Sequence, residues 1–197
     1  MNHPQTYALL GNVDIYVIDQ ILKNRYLPND KILDAGCGEG RNLKWFYANG
    51  FPIYGIDEDI TRIEQAKLIY PKVASHFVTG TLDNLPYSDH TFNHILCSAV
   101  LHFAQSERHF LQMFSELARV LQPNGTLFIR MASTIGMEGI ATHLSDPKTN
   151  RSGTYFLTRA KIGELARLHS LELIELVKTT NVQDLRAMTT LVMRKMS

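Results

Sequence analysis

Residues 31–42, Lys-Ile-Leu-Asp-Ala-Gly-Cys-Gly-Glu-Gly-Arg-Asn, carry an apolar β-type run into an acid and then into three alternating glycines. A strand that ends this way feeds a ligand-holding turn. Gly36, Gly38 and Gly40 lack a Cβ, so the backbone can take positive φ and come close to a bound molecule. The helix that follows points its free N–H groups at the same place. The spacing narrows the choice of guest. Dinucleotide turns read G-x-G-x-x-G and set pyrophosphate on the helix N-terminus, whereas here the third glycine comes one residue early and Arg41 fills the expected slot. Asp34, just before the glycines, would repel a phosphate and attract an ammonium. Asp57 closes Tyr54-Gly55-Ile56-Asp57, a second strand-like run, where such folds set an acid on ribose hydroxyls.

A ribose, a nearby amino group and no phosphate describe S-adenosylmethionine (SAM), and on these residues the sequence resembles the class I SAM-dependent methyltransferases. Ile32 to Gly40 resemble the family's first motif and Tyr54 to Asp57 its second. Gly80-Thr-Leu-Asp-Asn-Leu-Pro-Tyr87 is similar to the adenine-side segment, with Thr81 in place of the usual aspartate. Phe92 to His102 resemble the fourth strand and the turn after it, with Asn93 replacing the common aspartate, and Glu116 to Ile129 resemble the run into the fifth strand. Gly40-Arg41-Asn42 and the ending Met188 to Lys195 are similar to the tellurite-resistance branch of the family.

The resemblance implies an α/β fold, Rossmann-like and doubly wound, with a mostly parallel seven-stranded sheet, helices on both faces and a C-terminal antiparallel strand. It implies SAM as cofactor and S-adenosylhomocysteine (SAH) as product. The cofactor residues would be Asp34, Gly36, Cys37, Gly38, Gly40, Arg41, Asp57, Glu58, Thr81, Leu82 and Cys97, with the Leu82 N–H serving the adenine ring. Neither the proline-rich motif of enzymes that methylate base nitrogens nor the paired glutamates of protein-arginine enzymes stands after Cys97. His94, Ser98 and His102 do not supply the hard ligands of metal-dependent catechol enzymes.

The rest of the chain agrees with one globular unit. Strand-like and helix-like segments alternate from Lys31 to Ser133, the pattern of βαβ units, and 197 residues suit a single domain. Residues 1–29 read as an N-terminal helical cap with a helix over Val13 to Leu22. Further helices are predicted over Arg41 to Ala48, over Glu107 to Leu121 with Ser106 as N-cap, and from Thr158. Strands are predicted over Leu171 to Val177 and Thr189 to Met196, with a turn around Asn181 to Asp184. Residues 134–156 lack periodicity and leave the fifth strand at its ligand-binding end, which reads as a substrate-lid loop.

Composition sets the class of partner. A net charge of +1 without a basic run argues against nucleic acid. The absence of a long apolar run or a signal-like start argues for a cytoplasmic protein away from the membrane. Two cysteines fit reduced, packed thiols, and no metal site is expected. A small-molecule methyl acceptor and a monomer or homodimer follow as expectations. Methyl transfer is an in-line displacement that demands alignment and exclusion of water, with a protein base optional. His102 is either that base or orienter, or a packed structural histidine. Arg130, inside an apolar strand, either holds an anionic substrate or pairs with a structural carboxylate. The competing readings are a domain that binds SAM or SAH without catalysis and, against the glycine spacing, a nicotinamide oxidoreductase.

Overall fold

The computed structural model describes residues 2–137 and 154–197. Most of the expected lid, residues 138–153, lies outside them. Two short helices open the chain, α1 (His3–Leu10) and α2 (Ile15–Leu22). Asp14 caps α2 by accepting the Tyr16 N–H, so the predicted helix begins two residues later than its apolar pattern. Then come β1 (Ile32–Ala35), a 3-10 turn (Arg41–Leu43) running into α3 (Lys44–Ala48), β2 (Ile53–Asp57), α4 (Ile60–Ile69) and β3 (Phe77–Thr79). The second half holds β4 (Phe92–Ser98), α5 (Glu107–Val120), β5 (Leu121–Ser133), α6 (Arg159–Leu168), β6 (Leu171–Leu173), β7 (Lys178–Val182) and β8 (Arg186–Lys195).

The strands form one sheet in the order β3-β2-β1-β4-β5-β8-β6, with β7 also paired to β8. β1 to β5 are mutually parallel, and β8 runs antiparallel to β5. The order reverses between β1 and β4, and at such a switch point the crevice outside the strands' C-terminal ends is where open α/β sheets bind ligands. Seven strand positions are filled by eight segments, because the predicted strand over Leu171 to Val177 stops at Leu173 and β7, which runs into the predicted turn at Asn181, takes up the same edge of β8. β6 pairs with the C-terminal part of β8 and β7 with its N-terminal part. Between them Glu175 turns out to Lys23, Arg25, Lys178 and Gln20, an ion cluster that ties the interruption to α2. The Gln183 and Asp184 backbones, both at positive φ, then close the β7–β8 hairpin.

Burial on both faces explains the near-continuous apolar strands. Odd-numbered residues such as Leu33, Ile95, Cys97, Ile129 and Leu191 pack with Phe110, Phe114 and Leu117 of α5 and with Ile162 and Leu165 of α6. Even-numbered residues Ile32, Leu96, Phe128 and Val192 pack with Val17 of α2, Phe46 of α3 and Ile63 of α4. The predicted caps form as expected, Ser106 accepting the His109 N–H and Thr158 the Lys161 N–H. Buried Leu157 and Ile162 flank the start of α6, as a hydrophobic staple requires. No helix among the described residues is long and apolar enough to cross a membrane.

One contact in the core is tight enough to test. A Cβ on Gly55 would lie 2.6 Å from the Phe77 ring and 2.8 Å from Cys37 Sγ. Gly55→Ala is therefore expected to lower unfolding stability by about 1–3 kcal/mol through overpacking. Urea unfolding reads this directly, and an unchanged midpoint would show that the Phe77 ring can step aside freely.

Candidate functional site

The turn after β1 is held from below by β2. The Gly36 and Cys37 N–H groups both donate to Ile56 O, at 2.8 and 3.0 Å. The Gly38 N–H donates to Asp57 Oδ2 at 2.8 Å, and Gly40 N–H to Cys37 O at 2.9 Å. Two of the glycines have different reasons to lack a side chain. Gly36, at φ +76°, lies under Val100, whose Cγ2 would be 2.3 Å from an added Cβ. Gly38, at φ +55°, meets nothing closer than the Arg62 guanidinium at 3.5 Å. The first glycine lets the protein pack on itself; the second leaves the turn open beside Asp57.

Asp34 is the anomaly of the site. It lies in β1 between Gly55 and Leu96, wholly buried, and neither carboxylate oxygen has a hydrogen-bond partner among the described residues. Burial raises its pKa from 3.8 to about 7, against the pull of the Arg41 charge and the Asn42 amide. A buried carboxylate without a partner is costly, and a ligand ammonium would satisfy it. On the neighbouring strand Asp57 is half-buried, with Oδ1 accepting the Asp59 N–H at 3.0 Å. The acids expected at the amine and ribose sides thus flank one glycine turn.

The adenine-side segment is brought alongside by Gly80, whose N–H donates to Asp57 O at 3.0 Å. Thr81 is exposed and Leu82 buried. The loop after them is clamped by the Glu116-x-x-Arg119 pair. Glu116 accepts the Leu85 N–H, while Arg119 donates to Leu85 O, Tyr87 O, Asp89 and Glu116 itself. Glu58 is exposed. Cys37 and Cys97 are buried with pKa values raised by that burial, so both stay thiols, and Cys97 packs in the α5-side core. Arg41 reaches Asn12 O at 3.0 Å, fastening the N-terminal segment over the turn.

On the other side of the switch point, β4 and β5 carry the second group of candidates. His102 lies in a 3-10 turn (Leu101–Phe103) with Nδ1 buried and unbonded. Burial, and secondarily the Arg130 charge, lower its pKa to about 4. Arg130 lies 3.5 Å from Asp14 Oδ2 and 5.5 Å from the Tyr16 ring. The Ser98 hydroxyl donates to the same Asp14 oxygen at 2.8 Å. The Ser133 hydroxyl bonds Thr189 among the buried hydroxyls of β5 and β8. Asp14 and Thr190 are further polar residues of this region, and Ser98, which is no hard metal ligand, joins them as a hydroxyl. The visible signal was a serine and a threonine inside apolar strands, one at the end of β4 and one in β8.

The comparisons decide the family. The family model described as a methyltransferase domain matches residues 33–129, the stretch that carries the glycine turn, both acids and the strands that hold them. The chain belongs to the class I SAM-dependent methyltransferases. Members of this family use SAM and release it as SAH. The chain is 31% identical over 102 residues to the uncharacterized methyltransferase YodH of Bacillus subtilis, covering 51% of this chain and 42% of that protein. It is 28% identical over 174 residues to the ubiquinone biosynthesis O-methyltransferase of Rickettsia akari, covering 82% and 67% respectively. The chain thus spans 42% to 67% of the length of these relatives. A TehB-like SAM-dependent methyltransferase of Corynebacterium glutamicum shares the fold, with a TM-score of 0.67, 23% identity, and coverage of 97% of this chain and 93% of that one.

In the absence of ligand Asp34 works against the fold. An acid whose pKa rises on folding contributes stability below its unfolded pKa and loses it as pH climbs through the folded value. The window here runs from pH 3.8 to about 7, and the loss above it is on the order of 4 kcal/mol. Asp34→Asn is expected to flatten the pH dependence across that window. At pH 8 it should raise ligand-free stability by about 1–3 kcal/mol, since the buried amide carries a smaller cost of its own. Urea unfolding of both proteins at pH 5 and pH 8 isolates the effect, and parallel pH profiles would refute it.

Proposed function

We propose that the protein transfers a methyl group from SAM to a small-molecule acceptor, with the cofactor on the β1–β2 side of the switch point and the acceptor against β4 and β5. The observation that carries this reading is the Asp34 carboxylate, buried and unbonded beside a glycine turn whose open side adjoins a second carboxylate. That arrangement wants a cation and sugar hydroxyls and has nothing for a pyrophosphate. Bound SAM supplies an electrophilic methyl group on a sulfonium.

The chain's own residues do the rest by binding and alignment. Asp34 would take the amino end of the cofactor, Gly38 would give its backbone room, Asp57 would take the ribose, and Leu82 would meet the adenine side. His102 is neutral throughout the physiological range because its pKa lies near 4. It is therefore a weak base, and its free Nδ1 is suited to accept a hydrogen bond that orients the nucleophile. A protein base matters little if the acceptor is already an anion or a soft nucleophile. The name of the Rickettsia relative, an O-methyltransferase, fits a small acceptor, as does this chain's net charge of +1 without a basic run.

Binding of SAH at about a hundredfold its dissociation constant should add roughly 2.7 kcal/mol to unfolding stability. Asp57→Ala should weaken that binding while leaving the ligand-free protein folded, because Asp57 is half-buried at a strand end. Calorimetric titration with SAH and with NAD tests both statements. Heat with NAD and none with SAH would reject the reading, and unchanged SAH affinity in Asp57→Ala would reject the ribose assignment. Release of SAH from SAM in the presence of a metabolite extract separates an enzyme from a domain that only binds.

A further inference from the structure

The residues behind the acceptor side form a row with unused hydrogen-bonding capacity. Ser98 of β4 pairs in register with Arg130 of β5, which pairs with Thr190 of β8. Direct cross-strand partners share a face of the sheet with Cβ atoms about 5 Å apart. The row therefore lies side by side at the end of the face covered by α2, with Asp14 and Tyr16 above it. Thr190 is 3% exposed and its hydroxyl has no hydrogen-bond partner among the described residues. The Arg130 Nε is buried and also has none, while about a quarter of the side chain remains open to solvent.

Arg119 shows what a structural arginine in this protein looks like. Its three nitrogens donate to two carboxylates and two backbone carbonyls at 2.7–3.0 Å. Among the described residues Arg130 has one ionic neighbour, Asp14, at 3.5 Å, longer than the 2.7–2.9 Å typical of a charge-assisted bond. Asp14 is itself engaged, taking the Ser98 hydroxyl on Oδ2 and the Tyr16 N–H on Oδ1. It aims the guanidinium without saturating it. The Tyr16 ring limits where the guanidinium can swing. Lys178, the register partner of Thr190 on β7, is occupied by Asp19 and Glu175.

We infer that the methyl acceptor carries a carboxylate, gripped by the free face of the Arg130 guanidinium with help from the Thr190 hydroxyl. A guanidinium fork matches the two oxygens of a carboxylate in one plane. The acids Asp34 and Asp57 bar the same anion from the cofactor side, so the charge also sets which end of the acceptor enters first. This inference rests on the methyltransferase reading above, which assigns this end of the sheet to the acceptor.

The test uses binding, with turnover as an independent check. The protein, saturated with SAH, is titrated at matched ionic strength with acetate and benzoate, and with acetamide and benzamide as neutral counterparts. The carboxylates should bind and the amides should bind at least tenfold more weakly. Arg130→Gln should weaken benzoate binding tenfold or more, the usual scale for a hydrogen bond to a charged group. Thr190→Val, which keeps the side chain's shape, should weaken it about threefold to tenfold, and it carries the test if Arg130→Gln does not fold. SAH binding with equal affinity for acids and amides, or benzoate binding unaffected by Thr190→Val and by a folded Arg130→Gln, overturns the carboxylate inference and leaves the methyltransferase reading standing. Failure of the wild-type protein to bind SAH removes that reading and this inference with it.

Discussion

The turn between β1 and α3 has to satisfy two neighbours at once, and the site exists because glycine lets it. Its first N–H groups are spent on the Ile56 carbonyl, which welds the end of β1 to the end of β2. Val100, from the segment after β4, closes over Gly36 with no room for a methyl group. Three strand ends are thereby fixed around one tight loop before any ligand arrives. A site built on such a support can place a carboxylate without hydrogen bonds of its own, as it does Asp34, while Asp57 is held by the Gly38 and Asp59 N–H groups. The burial of Asp34 works against the fold, a common trade at sites poised for a charged ligand.

The N-terminal segment is tied to that support through polar contacts. Asn42, just past the glycines, accepts the Asp14 N–H, and Arg41 donates to Asn12 O. Asp14 then reaches Ser98 and Arg130, and Tyr16 bonds Thr180 on β7. α2 is thus stitched to the turn, to β4, to β5 and to the C-terminal hairpin, in addition to burying Val17 in the core. α1, with no buried residue, adds a looser layer through Lys44, which donates to Tyr7 O and sits over its ring. The cap is therefore firm where it meets the strand ends and soft at its outer edge.

Local chemistry explains which parts were legible in the sequence. Asp34, the glycines and Asp57 could be read because each acts within a few residues of its own strand end, where residue type and spacing carry the meaning. The caps at Ser106 and Thr158 were legible for the same reason. The Asp14–Ser98 contact spans 84 positions and exists only once β4 has found its place beside β1, so no local pattern announces it. The apolar alternation over Leu171 to Val177 suggested one strand, but Glu175 within it has four partners on α2, its flanks and β7. The chain leaves the sheet to reach them. Arg130 stood out as a charge in an apolar strand, yet whether it was satisfied depended on the length of one distant ion pair.

The electrostatic layout follows from that tertiary arrangement and gives the crevice a direction. On the β1–β2 side two carboxylates stand on neighbouring strands, and neither oxygen of the more buried one has a hydrogen-bond partner among the described residues. Across the switch point the Arg130 charge helps keep His102 unprotonated, so the imidazole there offers a lone pair and the guanidinium supplies the positive charge. The described residues thus place carboxylates on one side of the switch point and a guanidinium on the other. The row of Ser98, Arg130 and Thr190 is one register step beyond the apolar row of Leu96, Phe128 and Val192, and that single step separates the packed core from the polar end of the sheet.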